Sequence, residues 1–298
     1  MLNKRQADKI RKTIKPYCIT DGKSFRLKDF DPADTGNFKK NDKAWIKKQL
    51  DLGIEIMRGL QERLYADDKW GVLLIFQAMD AAGKDGAIKH VFSGVNPQGC
   101  RVTSFKAPSA EELDHDYLWR CSKNLPERGQ IGIFNRSYYE EVLVVKVHPE
   151  FLVAQKLPFI KEDIWKKRYH DISQWEKYLH NNGILIRKFF LHLSKEEQKK
   201  RFLERLDREE KNWKFSASDV RERQHWDKYM AAYEEMVRNT ATEYAPWYVV
   251  PADNKWYTRA VVAAAVIDAM ESLNLQFPKI DGAKLDDLVA AREALMSE

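Results

Sequence analysis

The residues best suited to chemistry lie where an apolar run passes through a turn of small residues into a helical pattern. The apolar run covers 72–76, the turn ends in Gly83 and Lys84, and the helical pattern continues to Phe92. In a strand–loop–helix unit of this kind, backbone N–H groups and the positive end of the helix dipole surround a phosphate, and the lysine reaches its outer oxygens. The segment therefore predicts phosphoryl transfer. An ordinary strand-to-helix turn with a solvated lysine is the alternative.

The turn departs from the general P-loop pattern, which has glycine, four residues, Gly-Lys and then serine or threonine. Ala78 occupies the first position, and Asp85 replaces the hydroxyl residue. That hydroxyl normally holds magnesium, so another ligand is needed, and Asp80 inside the loop is the natural candidate. We expect Mg²⁺, or Mn²⁺ in its place, on Asp80.

Composition narrows the class of protein. The 298 residues are 44% hydrophobic, which is enough for a sizeable core, and the net charge of +6 suits a polyanionic ligand. Because 45 acidic residues are mixed with the basic ones, the chain does not read as a general nucleic-acid surface. Three scattered cysteines indicate a reducing cytosol, and no apolar run approaches the ~20 residues that span a bilayer. We expect a cytoplasmic protein without a membrane or nucleic-acid partner.

Five apolar runs alternate with helical patterns. The expected strands are 71–77, 99–105, 130–134, 183–193 and 246–251. The expected helices are 41–66, 83–95, 109–124, 161–182, 194–212, 219–243, 258–274 and 283–297. This alternation predicts an α/β fold with a five-stranded parallel sheet and helices on both faces.

No linker of proline, glycine and serine divides the chain, so we expect one catalytic domain with extensions. We place an N-terminal arm and amphipathic helix at 1–66, packed on the core. The catalytic domain covers 67–278 with a lid at about 195–218, and a helical tail covers 279–298.

Ligands bind such sheets beyond the carboxyl ends of the strands. Strand 99–105 is followed by Lys106, which either faces a polyanion or precedes an ordinary capped helix. Strand 130–134 is followed by Asn135 and Arg136. An amide tolerates an incoming phosphate that a carboxylate would repel, and an arginine can hold a phosphate through two bonds. A polar turn with a surface arginine is the alternative here.

The helical pattern after strand 183–193 begins with Ser194, a capping signature, and carries many cations. Arg201, Arg205 and Arg208 fall on one face, which suits a lid that closes over phosphates. Lys211 and Lys214 continue the basic run. Because acidic residues are interleaved, a solvated charged face is the alternative.

Taken in order, four segments resemble the family-2 polyphosphate kinases: 80–86, 134–140, 194–201 and 213–216. The resemblance extends over about residues 10–275. It implies the P-loop kinase fold, similar to thymidylate kinase, with a helical lid. It also implies reversible, magnesium-dependent transfer of the terminal phosphate of inorganic polyphosphate to a nucleotide.

The resemblance implies roles for individual residues. Asp80 would bind magnesium, Arg136 would orient the transferring group, and Arg201, Arg205 and Arg208 would supply the charge of the lid. Phosphate and polyphosphate would be held by Ala81, Ala82, Gly83, Lys84, Asp85, Gly86, Lys106, Lys211 and Lys214. The nucleotide would contact Asn135, Arg136, Tyr139 and Glu140.

Asn135 stands where many members of that family have aspartate, and it resembles the subgroup that phosphorylates both nucleoside monophosphates and diphosphates. We therefore expect AMP, ADP and ATP as ligands, guanine nucleotides as further candidates, and a homo-oligomer, either dimer or tetramer. Since phosphoryl transfer needs mainly alignment and charge neutralisation, we expect direct in-line transfer. An ATP-dependent nucleoside monophosphate kinase is one alternative, and a non-enzymatic nucleotide- or nucleic-acid-binding module is another.

Overall fold

A six-stranded sheet forms the centre of the protein in the computed structural model, which describes residues 4–213 and 215–298. The strands are β1 (Cys18–Ile19), β2 (Gly71–Gln77), β3 (Cys100–Ser104), β4 (Ile131–Asn135), β5 (Ile184–His192) and β6 (Trp247–Pro251). Their order across the sheet is β1-β6-β5-β2-β4-β3. Strands β2 to β6 run parallel, and only β1 is antiparallel to its neighbour β6. The α/β fold and the five predicted parallel strands are confirmed.

The sixth strand is a difference from the predicted five. Strand β1 comes from the N-terminal arm and pairs only two residues with β6. Two residues carry no periodicity, so the sequence pattern could not reveal it. Its position covers one edge of the sheet, which would otherwise leave unpaired backbone groups.

Helices surround the sheet. They are α1 (Lys4–Ile14), α2 (Lys43–Asp67), α3 (Lys84–Val91), α4 (Ala110–Leu113), α5 (Trp119–Ser122), α6 (Val144–Val147), α7 (Ile164–Asn181), α8 (Lys195–Asp207), α9 (Glu209–Asn212), α10 (Ala217–Glu222), α11 (Trp226–Thr240), α12 (Lys255–Glu271) and α13 (Gly282–Met296). Three single helices expected from the sequence are divided. The expected 109–124 becomes α4 and α5, and 219–243 becomes α10 and α11. The expected 194–212 becomes α8 and α9 because Arg208 is extended, with φ −112°.

The central strand β2 separates two cores. Val72, Leu74 and Phe76 face a cluster built with α2, α3 and α12. Leu73 and Ile75 face a second cluster that includes residues of α7 and α11. This alternation follows from the two-residue period of a strand, and all seven residues of β2 are buried, as expected for the middle of a parallel sheet.

Residues of the N-terminal segment contact the core. The Tyr17 hydroxyl donates to Asp34 at 2.6 Å and lies 3.0 Å from the hydroxyl of Tyr257 on α12. Helix α2 buries Met57 and Leu64 completely. Among the described residues, no helix combines the length and apolar character that a membrane span requires.

Candidate active site

The loop after β2 curls through two left-handed backbone positions. Gly83 has φ 101° and Ala81 has φ 63°. Glycine takes this conformation freely, whereas an alanine there is strained, and such strain is concentrated at functional sites. The loop then enters α3 at Lys84, so the free N–H groups of the helix start face the same space as the loop. The predicted strand–loop–helix turn is thus present at 80–86, and phosphate binding by it stays a prediction.

Lys84 lies against this loop. Its side chain is buried, and its Nζ donates to the carbonyl oxygen of Ala78 at 2.8 Å. Burial, followed by the nearby charge of Arg136, lowers the pKa of Lys84 to about 8 against the opposing effect of Asp80. A polyanion bound beside Lys84 would stabilise its charged form and raise its pKa again.

Arg136 joins the loop to the end of β4. Its Nη2 donates to Asp80 at 2.7 Å, and its Nη1 lies 3.5 Å from Glu140. Glu140 also accepts from Gln77, the last residue of β2, at 3.0 Å. The carboxylate of Glu140 raises the pKa of Arg136, so the guanidinium stays charged. Arg136 itself has φ 65°, a second strained position beside the loop.

Asn135 contacts the start of α3. Its Nδ2 donates to Asp85 at 2.7 Å and lies 3.5 Å from the hydroxyl of Ser104, which ends β3. The amide therefore satisfies a carboxylate that occupies the usual place of the P-loop hydroxyl. Sequence adjacency could not show this contact, because 50 positions separate the two residues.

A central cleft of about 430 Å³ collects these groups. It is lined by the loop residues 80–86, Ser104, Phe105, Lys106, Asn135, Arg136 and Arg205. Residues from three strand ends and from helix α8 therefore meet, as the carboxyl-edge rule predicts. Lys106 is exposed and lines the cleft, which agrees with its expected position.

Arg201 does not have the expected place in a movable lid. Its guanidinium is buried and donates to the carbonyl oxygens of Ala81 and Ala82 at 3.0 and 2.9 Å, and to those of Ala252 and Asp253 at 2.7 and 3.0 Å. Its Nε donates to Glu197 at 2.9 Å. Arg201 ties the phosphate loop to the segment after β6, so its predicted role as lid charge is corrected to that of a positioning residue.

The other cations that were predicted to belong to the lid do not share one position. Arg205 lines the central cleft and pairs with Asp219 at 3.4 Å. Arg208 lies beyond the end of α8, is about half exposed, and pairs with Glu204 and Glu210, so the predicted three-arginine face is wrong. Lys211 pairs with Glu204 near the loop. Lys214 lies outside the described residues.

Tyr139 is also corrected. It is fully buried, its hydroxyl donates to Glu176 at 2.7 Å, and Glu176 pairs with the buried Lys188 at 2.6 Å. No part of its ring is free to contact a nucleotide. The predicted nucleotide contact is wrong in this structure, and Tyr139 instead anchors the segment that carries Arg136 and Glu140.

Two further cavities flank the central cleft. A basic cavity of about 210 Å³ lies on the other side of the loop and is lined by Gly83, Gly86, Ala87, Arg201, Arg205, Lys211, Lys255, Thr258, Arg259 and neighbours. The second cavity, of about 150 Å³, is called the ring pocket because the rings of His115 and Tyr117 line it. Its lining residues are Pro108, Glu112, Leu113, His115, Asp116, Tyr117, Arg120, Glu141, Gln155, Leu157 and Arg168. The sequence patterns do not predict that Lys255, Arg259, Glu141 and Gln155 line these cavities. Only the position of Lys255, directly after β6, could have drawn attention to one of them.

The donor set of the cleft fits magnesium. Asp80 and Asp85 bring carboxylate oxygens to the loop, and the described residues contain no cluster of three or more histidine, cysteine or acidic side chains that would form an all-protein metal cage. Magnesium prefers oxygen ligands, keeps several waters, and is commonly held by one or two carboxylates together with substrate phosphates. Asp80 and Asp85 are therefore the residues that would hold it.

Comparison with known proteins gives the family of this chain. The sequence model of the family described as "Polyphosphate kinase 2 (PPK2)" matches residues 39–278. The chain belongs to the polyphosphate kinase 2 family. It is therefore an enzyme of the polyphosphate phosphotransferase type, and the non-enzymatic alternative is set aside.

Individual relatives cover nearly the whole chain. An "ADP-polyphosphate phosphotransferase" of Rhodopseudomonas palustris is 51% identical over 92% of this chain and 98% of its own length. An "AMP/ADP-polyphosphate phosphotransferase" of Meiothermus ruber is 45% identical over 89% of this chain and 96% of its own. The crystal structure of polyphosphate kinase 2 from Arthrobacter aurescens TC1 superposes with a TM-score of 0.84 at 41% identity, covering 94% of this chain and 95% of that one.

Proposed function

We propose that this enzyme transfers the terminal phosphate of inorganic polyphosphate, reversibly and with magnesium, to nucleoside monophosphates and diphosphates, so that AMP becomes ADP and then ATP. The observation that carries the proposal is the convergence of Lys84, Asp80, Arg136 and Asn135 on one cleft. That cleft has cavities of different chemistry on its two sides. The names of both relatives include polyphosphate, and one includes AMP as well as ADP.

The basic cavity is suited to the polyphosphate donor. Five of its lining side chains are cationic and one, Glu204, is acidic, while no aromatic ring lines it. A chain of phosphates needs charge and no base-stacking surface, whereas ATP as donor would need a place for adenine. Arg259 and Lys255 would extend the cationic lining away from the loop, along the start of α12.

The ring pocket is suited to the base of the acceptor. His115 and Tyr117 supply rings, and the stacked guanidinium of Arg168 lies 4.0 Å from the Tyr117 ring centre. Gln155 donates to Glu141 at 2.7 Å, which leaves the other carboxylate oxygen of Glu141 to accept from an exocyclic amine. Burial raises the pKa of Glu141. A pocket that combines aromatic rings with a polar edge suits a purine base. Adenine is the first candidate, and guanine is a further one.

The basic cavity and the ring pocket are joined through the central cleft. Arg120 of the ring pocket donates to the carbonyl oxygen of Lys106, which lines the cleft, at 2.8 Å. Glu141 of the ring pocket directly follows Glu140, the partner of Arg136. A nucleotide with its base in the ring pocket would thus direct its phosphates toward Arg136 and Lys84.

In the proposed reaction a terminal oxygen of the acceptor phosphate attacks the last phosphorus of the chain in line. The P–O bond to the rest of the polyphosphate breaks, and the shortened chain leaves with the electron pair on its oxygen. Lys84, Arg136 and the loop N–H groups neutralise charge on the equatorial oxygens, and magnesium held by Asp80 and Asp85 would supply further positive charge against the phosphates. No phosphorylated protein intermediate is required.

The uncharged Asn135 underlies the proposed choice of acceptor. Beside Asp85, a second carboxylate would repel the phosphates of an incoming nucleotide, whereas the amide does not. We propose that both AMP and ADP are accepted for this reason. We further propose a cytoplasmic location, since the three cysteines are free thiols.

The deciding experiment incubates the purified protein with Mg²⁺ and long-chain polyphosphate, with AMP or ADP in parallel and no ATP, and follows products by phosphorus NMR. Formation of ADP and then ATP from AMP supports the proposal. Reaction of ADP but not of AMP would contradict the proposal that Asn135 allows both acceptors. If neither reacts while added ATP phosphorylates a nucleoside monophosphate, the alternative of an ATP-dependent nucleoside monophosphate kinase is correct.

A further inference from the structure

A polar network lies in the core beneath the turn that follows β4. Glu176 of α7 and Lys188 of β5 are fully buried, and their charged atoms lie 2.6 Å apart. The hydroxyls of Tyr138 and Tyr139 each donate to the other oxygen of Glu176 at 2.7 Å. Lys188 also donates to the Tyr139 hydroxyl at 2.9 Å and to the carbonyl oxygen of Thr240 at 2.7 Å. All three N–H groups of the ammonium and both carboxylate oxygens therefore have partners.

This network is suited to holding one arrangement of the chain. Burial lowers the pKa of Lys188, and the charge of Glu176 opposes this effect. A buried ion pair contributes little net stability, because apolar side chains of similar volume often replace it without loss. Its partners nevertheless fix their own positions, since any displacement leaves a buried charge or hydroxyl without a hydrogen bond. The network therefore acts on the position of the groups it contacts more than on overall stability.

The turn above the network contains a strained residue. Arg136 has φ 65°, a left-handed conformation that is unfavourable for a residue with a Cβ atom. Such a conformation persists only where the surrounding contacts hold it. On one side, the N–H of Arg136 donates to the carbonyl oxygen of Phe76 in β2 at 3.0 Å. On the other side, Ser137 is fully buried and leads directly into Tyr138 and Tyr139. The two tyrosines thus fix the chain just beyond the strained residue.

The same turn determines where its side chains meet the central cleft. Arg136 donates to Asp80 of the loop at 2.7 Å and lies 3.5 Å from Glu140, which belongs to the turn as well. Phosphoryl transfer depends on alignment, so a small displacement of the guanidinium lowers the rate. Glu176 and Lys188 are fully buried and cannot touch a substrate. Their influence on the cleft therefore passes through this turn.

We propose that Glu176 and Lys188 are positioning residues, which hold the guanidinium of Arg136 against the transferring phosphate through the hydroxyls of Tyr138 and Tyr139. This role rests on the proposed function, because it requires Arg136 to act on that phosphate. It also accounts for a lysine within a largely buried strand, where an apolar side chain would often be as stable.

Hydrogen–deuterium exchange without substrate tests the hold on the turn. Tyr138→Phe/Tyr139→Phe removes both hydroxyls and keeps the rings. We expect amide exchange in residues 136–142 to become at least about tenfold faster, because two buried hydrogen bonds are lost, while β2 and β5 exchange as before. The control Tyr169→Phe, on α7, removes a hydroxyl that Lys146 contacts at 3.2 Å and should change none of these segments.

Two results of that experiment would overturn the proposal. One is unchanged exchange in residues 136–142 of the Tyr138→Phe/Tyr139→Phe variant, since the network would then not hold the turn. The other is an equal rise in β2 and β5, because the network would then stabilise the whole core instead of positioning one segment.

A double-mutant cycle tests whether the network acts through Arg136. With polyphosphate and ADP, we expect Tyr138→Phe/Tyr139→Phe to lower kcat about tenfold and to change KM for polyphosphate less than about twofold. Lys188→Met/Glu176→Leu, which removes the ion pair at similar volume, should act alike. In an Arg136→Ala background neither double substitution should lower kcat further, because the group that the network positions is absent. Full additivity with Arg136→Ala would overturn the proposal.

Failure of the proposed function would look different. The unchanged enzyme would then show no turnover with polyphosphate, which would overturn both proposals. Additivity in the double-mutant cycle would overturn the positioning role alone, since the unchanged enzyme would still turn over polyphosphate.

Discussion

Lys84 is the residue whose chemistry depends most on its surroundings. It is buried beside the loop, donates to the carbonyl oxygen of Ala78, and has a pKa lowered to about 8, chiefly by burial. Since a lysine is charged below its pKa, the free enzyme holds a cation there at pH 7 and loses it as the pH rises through about 8. In the proposed reaction, polyphosphate binding depends on that charge.

We expect kcat/KM for polyphosphate to fall above about pH 8, because kcat/KM reports the free enzyme. Lys84→Arg, whose guanidinium stays charged throughout, should have low activity and no such decline between pH 7 and 9.5. Lys84→Ala should lose about 10²–10³-fold in kcat, the usual effect of removing one preorganised donor. A pH profile shared by the Lys84→Arg variant and the unchanged enzyme would assign the decline to another group.

A second prediction at the residue scale concerns Asn135. Asn135→Asp would set two carboxylates within hydrogen-bonding distance, because Asn135 Nδ2 now lies 2.7 Å from Asp85. We expect kcat/KM for AMP and ADP to drop about tenfold or more, and the loss to shrink as magnesium rises and screens the pair. Asn135→Ala removes the amide without adding charge, so its loss should not respond to magnesium. Steady-state kinetics at two magnesium concentrations make the comparison.

At the scale of elements, helix α8 is a brace for the loop rather than a free lid. Arg201 reaches from α8 to four carbonyl oxygens on two different segments, and all four would lose a donor together if it were replaced. Arg208, on the far side of the break after α8, is exposed and has only acidic surface partners. Helix α8 and the residue that follows it thus offer a buried and an exposed arginine for comparison.

We expect Arg201→Gln to lower the free energy of unfolding by about 2–4 kcal/mol, because buried carbonyls are left without partners. Arg208→Gln should change it by less than about 0.5 kcal/mol, since an exposed ion pair contributes little. Urea denaturation followed by circular dichroism measures both. Equal effects of the two substitutions would show that the loop does not depend on the contacts of Arg201.

At the scale of the whole molecule, positive charge is concentrated where the loop meets α12. The net charge is +6, yet the basic cavity alone has five cations against one carboxylate. A long polyanion that follows such a surface is attracted from a distance, and dissolved salt screens this attraction.

We expect KM for long-chain polyphosphate to rise several-fold between about 50 and 300 mM KCl, where the screening length falls below about 10 Å. Lys255→Ala should raise KM at low salt and flatten this dependence, because Lys255 lines the basic cavity. The matched control is Lys284→Ala, on the exposed helix α13, which should leave both unchanged. A salt dependence that is the same for all three proteins would place the polyphosphate elsewhere.

The sequence by itself determined the features that depend on neighbours along the chain. The loop at 80–86 was predictable because a few consecutive residues set its backbone path, and the five long strands were predictable because apolar runs report burial on both faces. The resemblance in four ordered segments predicted the family, which is confirmed. The strand-end rule then placed Asn135, Arg136 and Lys106 at one edge.

Only the tertiary structure decided what the ends of the long side chains contact and whether they are buried. Arg201 is buried against the loop 119 positions away, and Tyr139 points into the core, although each reads in sequence as a residue free to meet a ligand. Lys255 and Arg259 join the loop only because β6 and α12 return to it. Helical spacing and strand order specify which side of an element a residue occupies, but burial and charge pairing depend on what packs against that side.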